Sequence, residues 1–225
     1  MTRARALVAG AAAVALAGCT RTIMESLGFP KRAVVPPSLV SSLVCFERKA
    51  RGDAYNWDGA YGSGFAVASG AWGTRILTAG FVVHGAYHFH LVAGGRRGTP
   101  ATVVAVDNRN LFALLEIDAV LPPVRLGSAR GLRPGTELVV AGFSTPDASG
   151  TPQPDAFFER IEAVVADREF HFTGRIAGGH EGGPVVDPRT GVVVGIGGTN
   201  ALSNGTRGLG WTIDAARSFL AAHPR

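Results

Sequence analysis

The residues best placed to do chemistry lie in the glycine-rich run Gly178-Gly179-His180-Glu181-Gly182-Gly183-Pro184. Adjacent imidazole and carboxylate groups could work as a general acid and base in hydrolysis. Such a pair still needs an activated nucleophile, and no serine or cysteine occurs from Thr151 to Leu202. Glu181 has three other readings. It could be a solvated loop carboxylate, a contact for a basic ligand helped by His180, or a charge neutralised internally by Arg175. A second candidate is Tyr87-His88-Phe89-His90, where alternation along a strand puts both histidines on one face. Two imidazoles could begin a metal site, but no third ligand is visible nearby. They are read as a surface pair, with no metal and no cofactor expected.

These residues must be carried by strands. From Leu39 onward the chain is a series of short apolar or alternating runs punctuated by glycine-rich turns, which predicts an all-β fold. Strands are expected near Leu39–Arg48, Gly64–Ser69, Arg75–Thr78, Tyr87–Val92, Ala101–Val106 and Phe112–Ile117. A connector with Pro122-Pro123 and Pro134-Gly135 follows. Further strands are expected near Glu137–Ala141, Phe158–Val165, Glu169–Thr173, Pro184–Val186, Val192–Gly197 and Gly210–Ile213. Asp214 reads as the N-cap of a C-terminal helix through Ala222. Six strands, a connector, six strands and a helix make the layout of two packed six-stranded barrels, one over about 39–118 and the other over about 136–213. Phe157-Phe158 and Phe170-His171-Phe172 read as barrel core.

The N-terminus reads as an export signal over residues 1–18. Arg3 and Arg5 precede an apolar run from Ala6 to Ala17, too short for a span of about 20 residues. It ends in Leu16-Ala17-Gly18-Cys19, which resembles a bacterial lipobox whose cysteine is lipidated. Thr20 follows, with no aspartate to signal inner-membrane retention, so an outer membrane is expected where the cell has one. Residues 19–38, with Pro30, Pro36 and Pro37, read as a tether between the lipid and a domain over 39–225. Cys45 then has no second cysteine within the mature chain to bridge to except a lipidated one, so the core must hold the domain. The formal net charge of +5 includes Arg3 and Arg5, and the remaining basic residues are scattered without interleaved aromatics. That pattern serves solubility and predicts no nucleic-acid partner.

Three stretches together resemble the chymotrypsin-fold (trypsin-like) serine proteases, nearest to the bacterial high-temperature-requirement type without its peptide-binding modules. Gly62-Ser63-Gly64-Phe65 with Ile76-Leu77-Thr78-Ala79-Gly80-Phe81-Val82-Val83 is similar to the segment presenting the catalytic histidine. Ala105-Val106-Asp107 with Leu111-Phe112-Ala113-Leu114-Leu115 is similar to the segment presenting the aspartate. The loop at Gly178–Pro184 with Val192-Val193 and Gly195-Ile196 is similar to the nucleophile loop and its next strand.

The resemblance puts the histidine at Phe81, the aspartate at Leu111 and the serine at Glu181. Phe81 has no titratable nitrogen, Leu111 cannot orient an imidazolium, and Glu181 is a weak nucleophile with no base beside it. His84 falls one helical turn beyond Phe81, and Asp107 matches a structural position of the motif, so neither replaces the missing groups. Gly179, His180 and Glu181 would be a vestigial oxyanion loop in which the Glu181 side chain crowds the hole. Phe81 and Leu111 would turn the former ion-pair site into core. The expectation is a lipid-anchored, inactive domain that binds or scaffolds in the bacterial envelope. A peptide or envelope protein is its expected partner, taken by strand addition or along Gly197-Gly198 and Asn200–Gly205. The competing expectation is a hydrolase of the same family with residual or rewired activity.

Overall fold

Strand side chains alternate between two faces, and here both faces of the central strands are apolar because each has something to cover. The computed structural model describes residues 31–48, 62–83, 89–107, 109, 111–144, 152–199 and 207–224. In the first half, β2 (Leu43–Arg48), β3 (Gly62–Gly70), β4 (Gly73–Ala79), β5 (Phe89–Ala93), β6 (Arg96–Val106) and β7 (Phe112–Ile117) close into an antiparallel barrel in the order β2-β3-β4-β7-β6-β5. In the second, β8 (Glu137–Phe143), β9 (Pro154–Val165), β10 (Glu169–Phe172), β11 (Pro184–Asp187), β12 (Val192–Gly197) and β13 (Leu209–Thr212) close likewise, β9 pairing with both β10 and β8. This is a chymotrypsin-like pair of six-stranded barrels.

On β2, Val44 and Phe46 point into the first barrel, where they meet Ile76, Leu91 and Leu115. Leu43 and Cys45, on the opposite face, join a cluster shared with Val139, Ala141, Phe143, Ile196 and Trp211 of the second barrel. On β8 the same alternation sends Leu138 and Val140 inward to Ile161, Phe170 and Phe172. Three buried clusters result: one inside each barrel and one between them.

Three local features differ from the sequence reading. Lys31–Ala33, assigned to the tether, forms β1 and pairs antiparallel with β9, with Arg32 opposite Phe157. Pro37–Val40 is a short helix, α1, where an early strand was expected; Pro37 presets the backbone angle of its first turn. The C-terminal helix α3 spans Ile213–Ala221, and its N-cap is Thr212, whose Oγ1 accepts the Ala215 N–H at 3.2 Å. Asp214 is instead drawn to the connector, accepting from Ser128 Oγ at 2.9 Å and from the Ala129 N–H at 2.7 Å. No helix among the described residues is long and apolar enough to cross a membrane. Cys19, His84, His88 and Asn200–Gly205 lie outside the described residues.

Candidate functional site at the junction of the barrels

The Gly178–Pro184 loop is pinned by backbone and small polar groups from both barrels. Ser63 on β3 supplies most of the grip. Its N–H donates to the Glu181 carbonyl at 2.8 Å, and its Oγ donates to the Gly179 carbonyl at 2.6 Å while accepting the Phe143 N–H at 2.9 Å. Thr78 Oγ1 donates in turn to the Ser63 carbonyl at 2.7 Å. From the other side, the Gly182 N–H donates to the Gly197 carbonyl at 2.7 Å, and the Gly197 N–H donates to the Gly183 carbonyl at 2.7 Å. Gly182 has φ +81, and a Cβ there would lie 2.1 Å from Thr78 Oγ1 and 2.4 Å from the Ser63 carbonyl. Only glycine meets both demands.

Within this fixed loop the two chemical side chains diverge. The Glu181 carboxylate folds back on its own loop, where Oε2 accepts the Gly179 N–H at 3.4 Å. Burial pushes the carboxyl above its usual range, and the N–H groups of Gly179 and Glu181 itself pull it back. The His180 ring turns into the second barrel and packs edge-on against Phe157, with centroids 5.0 Å apart. It is buried, and neither ring nitrogen has a well-aligned hydrogen-bond partner among the described residues. Burial holds its pKa below the usual value against the opposing pull of the Asp155 carboxylate and of the backbone at Gly178, Asp155 and Ala177. The imidazole is therefore turned away from Glu181. Among the described residues no ion pair joins Arg175 to Glu181, so the expected internal neutralisation is absent: the carboxylate's partners are backbone N–H groups.

Phe81 sits on α2 (Gly80–Val83), the single turn that follows β4. Leu111 precedes β7, and its carbonyl accepts the Gly80 N–H at 3.1 Å, which holds the two segments together. The loop reaches the same place, because Gly182 lies against Thr78 and Ala79 at the end of β4. Trp211 on β13 completes the junction, its ring centroid 6.2 Å from that of Phe81 and 6.1 Å from that of Phe112. Leu111 is half-buried and packs against the inter-barrel cluster. Phe81 touches that cluster through Trp211 and is 36% exposed, because this turn directs Val83 inward and leaves Phe81 on its outer side. Asp107 accepts the N–H groups of Leu111 at 2.5 Å and Phe112 at 2.9 Å, so it shapes the turn that delivers Leu111.

Sequence reasoning overlooked two participants. Ser63 was noted only as part of a motif; its clamp depends on β3 and the loop meeting across 116 residues of chain. Glu159, on β9 between Phe157 and Ile161, is buried with Oε1 lacking a partner, and burial raises its pKa to about 8. Its spacing of two from Phe157 and from Ile161 was the available signal.

A family model described as the trypsin-like peptidase domain matches residues 62–196, more than half of the chain. The chain belongs to that family. Among solved structures, the active form of the Rv3671c protease from M. tuberculosis superposes with a TM-score of 0.67 at 22% identity, covering 86% of this chain and 89% of its own. A serine endoprotease from Yersinia pestis gives 0.62 at 19% identity, covering 83% of this chain and 66% of its own. At these identities the likeness is one of fold. No curated protein matches the chain by sequence.

Proposed function

We propose that this trypsin-like domain is catalytically inactive and serves as a binding or scaffold module, held to a bacterial envelope membrane by lipid on Cys19. One observation carries the proposal. The position matching the nucleophile is Glu181, and its carboxylate takes up the Gly179 N–H that would otherwise face a substrate oxyanion. The positions matching the base and its orienting acid, Phe81 and Leu111, bring no proton acceptor to the junction. Losing the nucleophile or base alone costs on the order of a millionfold in kcat in a comparable enzyme. A negative group in the hole would add repulsion of the tetrahedral intermediate. What remains is a double barrel with a partly exposed aromatic ring, Phe81, at the junction, and an extended peptide or envelope protein taken by strand addition is the partner proposed for it.

The test is reaction with a fluorophosphonate probe and turnover of a mixed peptide library. The unmodified chain is compared with the triple variant Phe81→His, Leu111→Asp, Glu181→Ser. Silence from the first and labelling of the second is the expected result. Turnover by the unmodified chain that Glu181→Ala abolishes would make the protein a hydrolase and overturn the proposal.

A further inference from the structure

On the outer face of the second barrel, where β1 docks on β9, lies a groove of about 340 Å³ whose walls are mostly apolar. Lys31, Val34 and Pro36 form one wall, Phe158 and Val186 the floor, and Pro188 the opposite rim on the turn after β11. Val34 is 87% exposed at the edge. The charges around the groove are sorted by sign. Arg32 pairs with Asp155 at 3.8 Å, but the Arg32 side chain is 76% exposed and that of Asp155 15%. Arg189 pairs with Asp187 at 3.1 Å, with exposures of 74% and 9%. Lys31 Nζ stands 5.3 Å over the Phe158 ring. In both ion pairs the carboxylate faces the protein and the cation faces outward.

We propose that this face contacts the membrane, with Lys31, Arg32 and Arg189 meeting anionic phospholipid headgroups and Val34 entering the interfacial layer. The inference rests on the reading of Cys19 as the lipid anchor. Eleven residues lie between Cys19 and Lys31, and the twelve steps from one to the other can span at most about 43 Å when fully extended. That is about one diameter of a domain of this size. The surface where the chain leaves the domain therefore stays within that distance of the bilayer. Effective concentrations in the millimolar range make even weak contacts count at such a tether length. Two basic side chains lining an apolar groove and a third, Arg189, next to its rim residue Pro188 suit that surface: each cation gains from the negative surface potential, and the apolar edge gains by leaving water.

The experiment uses the mature chain, residues 19–225, carrying Cys19→Ala, so that neither lipid nor export signal assists, in flotation with vesicles of phosphatidylcholine alone or mixed with phosphatidylglycerol. Binding is expected only to the mixed vesicles and to fall as salt is raised. Lys31→Glu with Arg32→Glu should weaken it roughly tenfold or more. Arg189→Gln, on a separate element, should weaken it a few-fold, and Val34→Asp should reduce it too. Far-UV circular dichroism checks that these surface variants fold. Absence of binding, equal binding to neutral vesicles, or binding that survives both charge variants would overturn the proposal. So would a shift to monomer on Val34→Asp without vesicle binding, which would assign the groove to a second copy of the chain. The anchor is judged separately by the mass of the unmodified chain from membranes. An unlipidated Cys19 refutes the anchor whatever the vesicles show.

Discussion

Glu159 is an acid in the wrong solvent. It lies on the inward face of β9 beside Phe157 and Ile161, and the Gly174 N–H is the backbone group that opposes its desolvation. Its pKa of about 8 in the folded chain lies above the ordinary 4.5, so the folded state holds a proton that the unfolded state releases. The sign follows. The protonated acid costs nothing below about pH 4.5, and stability is lost as pH climbs from there to about 8, each unit of difference being worth about 1.4 kcal/mol. Glu159→Gln keeps an acceptor for Gly174 and removes the titration. In thermal melts the Tm of the unmodified chain relative to that of the variant should fall steadily from pH 5 to 8, with the variant the more stable at pH 8. His180 works in the opposite direction, since its lowered pKa weakens the fold as pH drops below about 6.5. At the former nucleophile, Glu181→Ser alone should remain unlabelled by fluorophosphonate. Emptying the hole supplies a hydroxyl but no base to take its proton, with Phe81 in that place.

The elements around the site hold by backbone bonds, and this sets what a sequence can disclose. The barrels were legible because apolar runs such as Phe112–Ile117 and Val192–Gly197 are bounded by turn residues. β1 was not, because three residues carry no period; Lys31–Ala33 are a strand only because the β9 edge pairs with them. The same limit hid the role of Ser63, whose partners Gly179 and Phe143 are fixed by topology. The junction of Phe81, Leu111 and Glu181 was legible through motif order, while the solvent-facing side of α2 and the inward turn of His180 depended on packing. Ser63→Ala would leave the buried Gly179 carbonyl and Phe143 N–H unpaired. It should cost roughly 2–6 kcal/mol in urea unfolding, with about 1–3 for each stranded group. Gly182→Ala should cost more, because the left-handed backbone and the contact with the Ser63 carbonyl must both yield. A Gly182→Ala chain as stable as the original would refute this account of the loop.

At the scale of the molecule, the inter-barrel cluster decides how the chain unfolds. Leu43, Cys45, Phe65, Leu77 and Phe112 from the first barrel share that cluster with Val139, Phe143, Ile196 and Trp211 from the second. Separating the barrels would expose all of these faces to water at about 25 cal/mol per Å² of apolar surface, a cost that neither barrel could offset alone. The Ser63 clamp adds buried hydrogen bonds across the same plane. One cooperative transition is therefore expected, with far-UV dichroism and tryptophan fluorescence coinciding in urea and the calorimetric enthalpy matching the van't Hoff value. Trp72 reports from the first barrel and Trp211 from the interface, so independent melting would separate the probes. Trp211→Ala should lower stability by about 3–5 kcal/mol, removing the ring that packs on Phe81 and Phe112. If the barrels are coupled as argued, that variant melts earlier but still in a single step. A split into two steps would mean that Trp211 alone joined them and that the remaining cluster contributes little to holding the halves together.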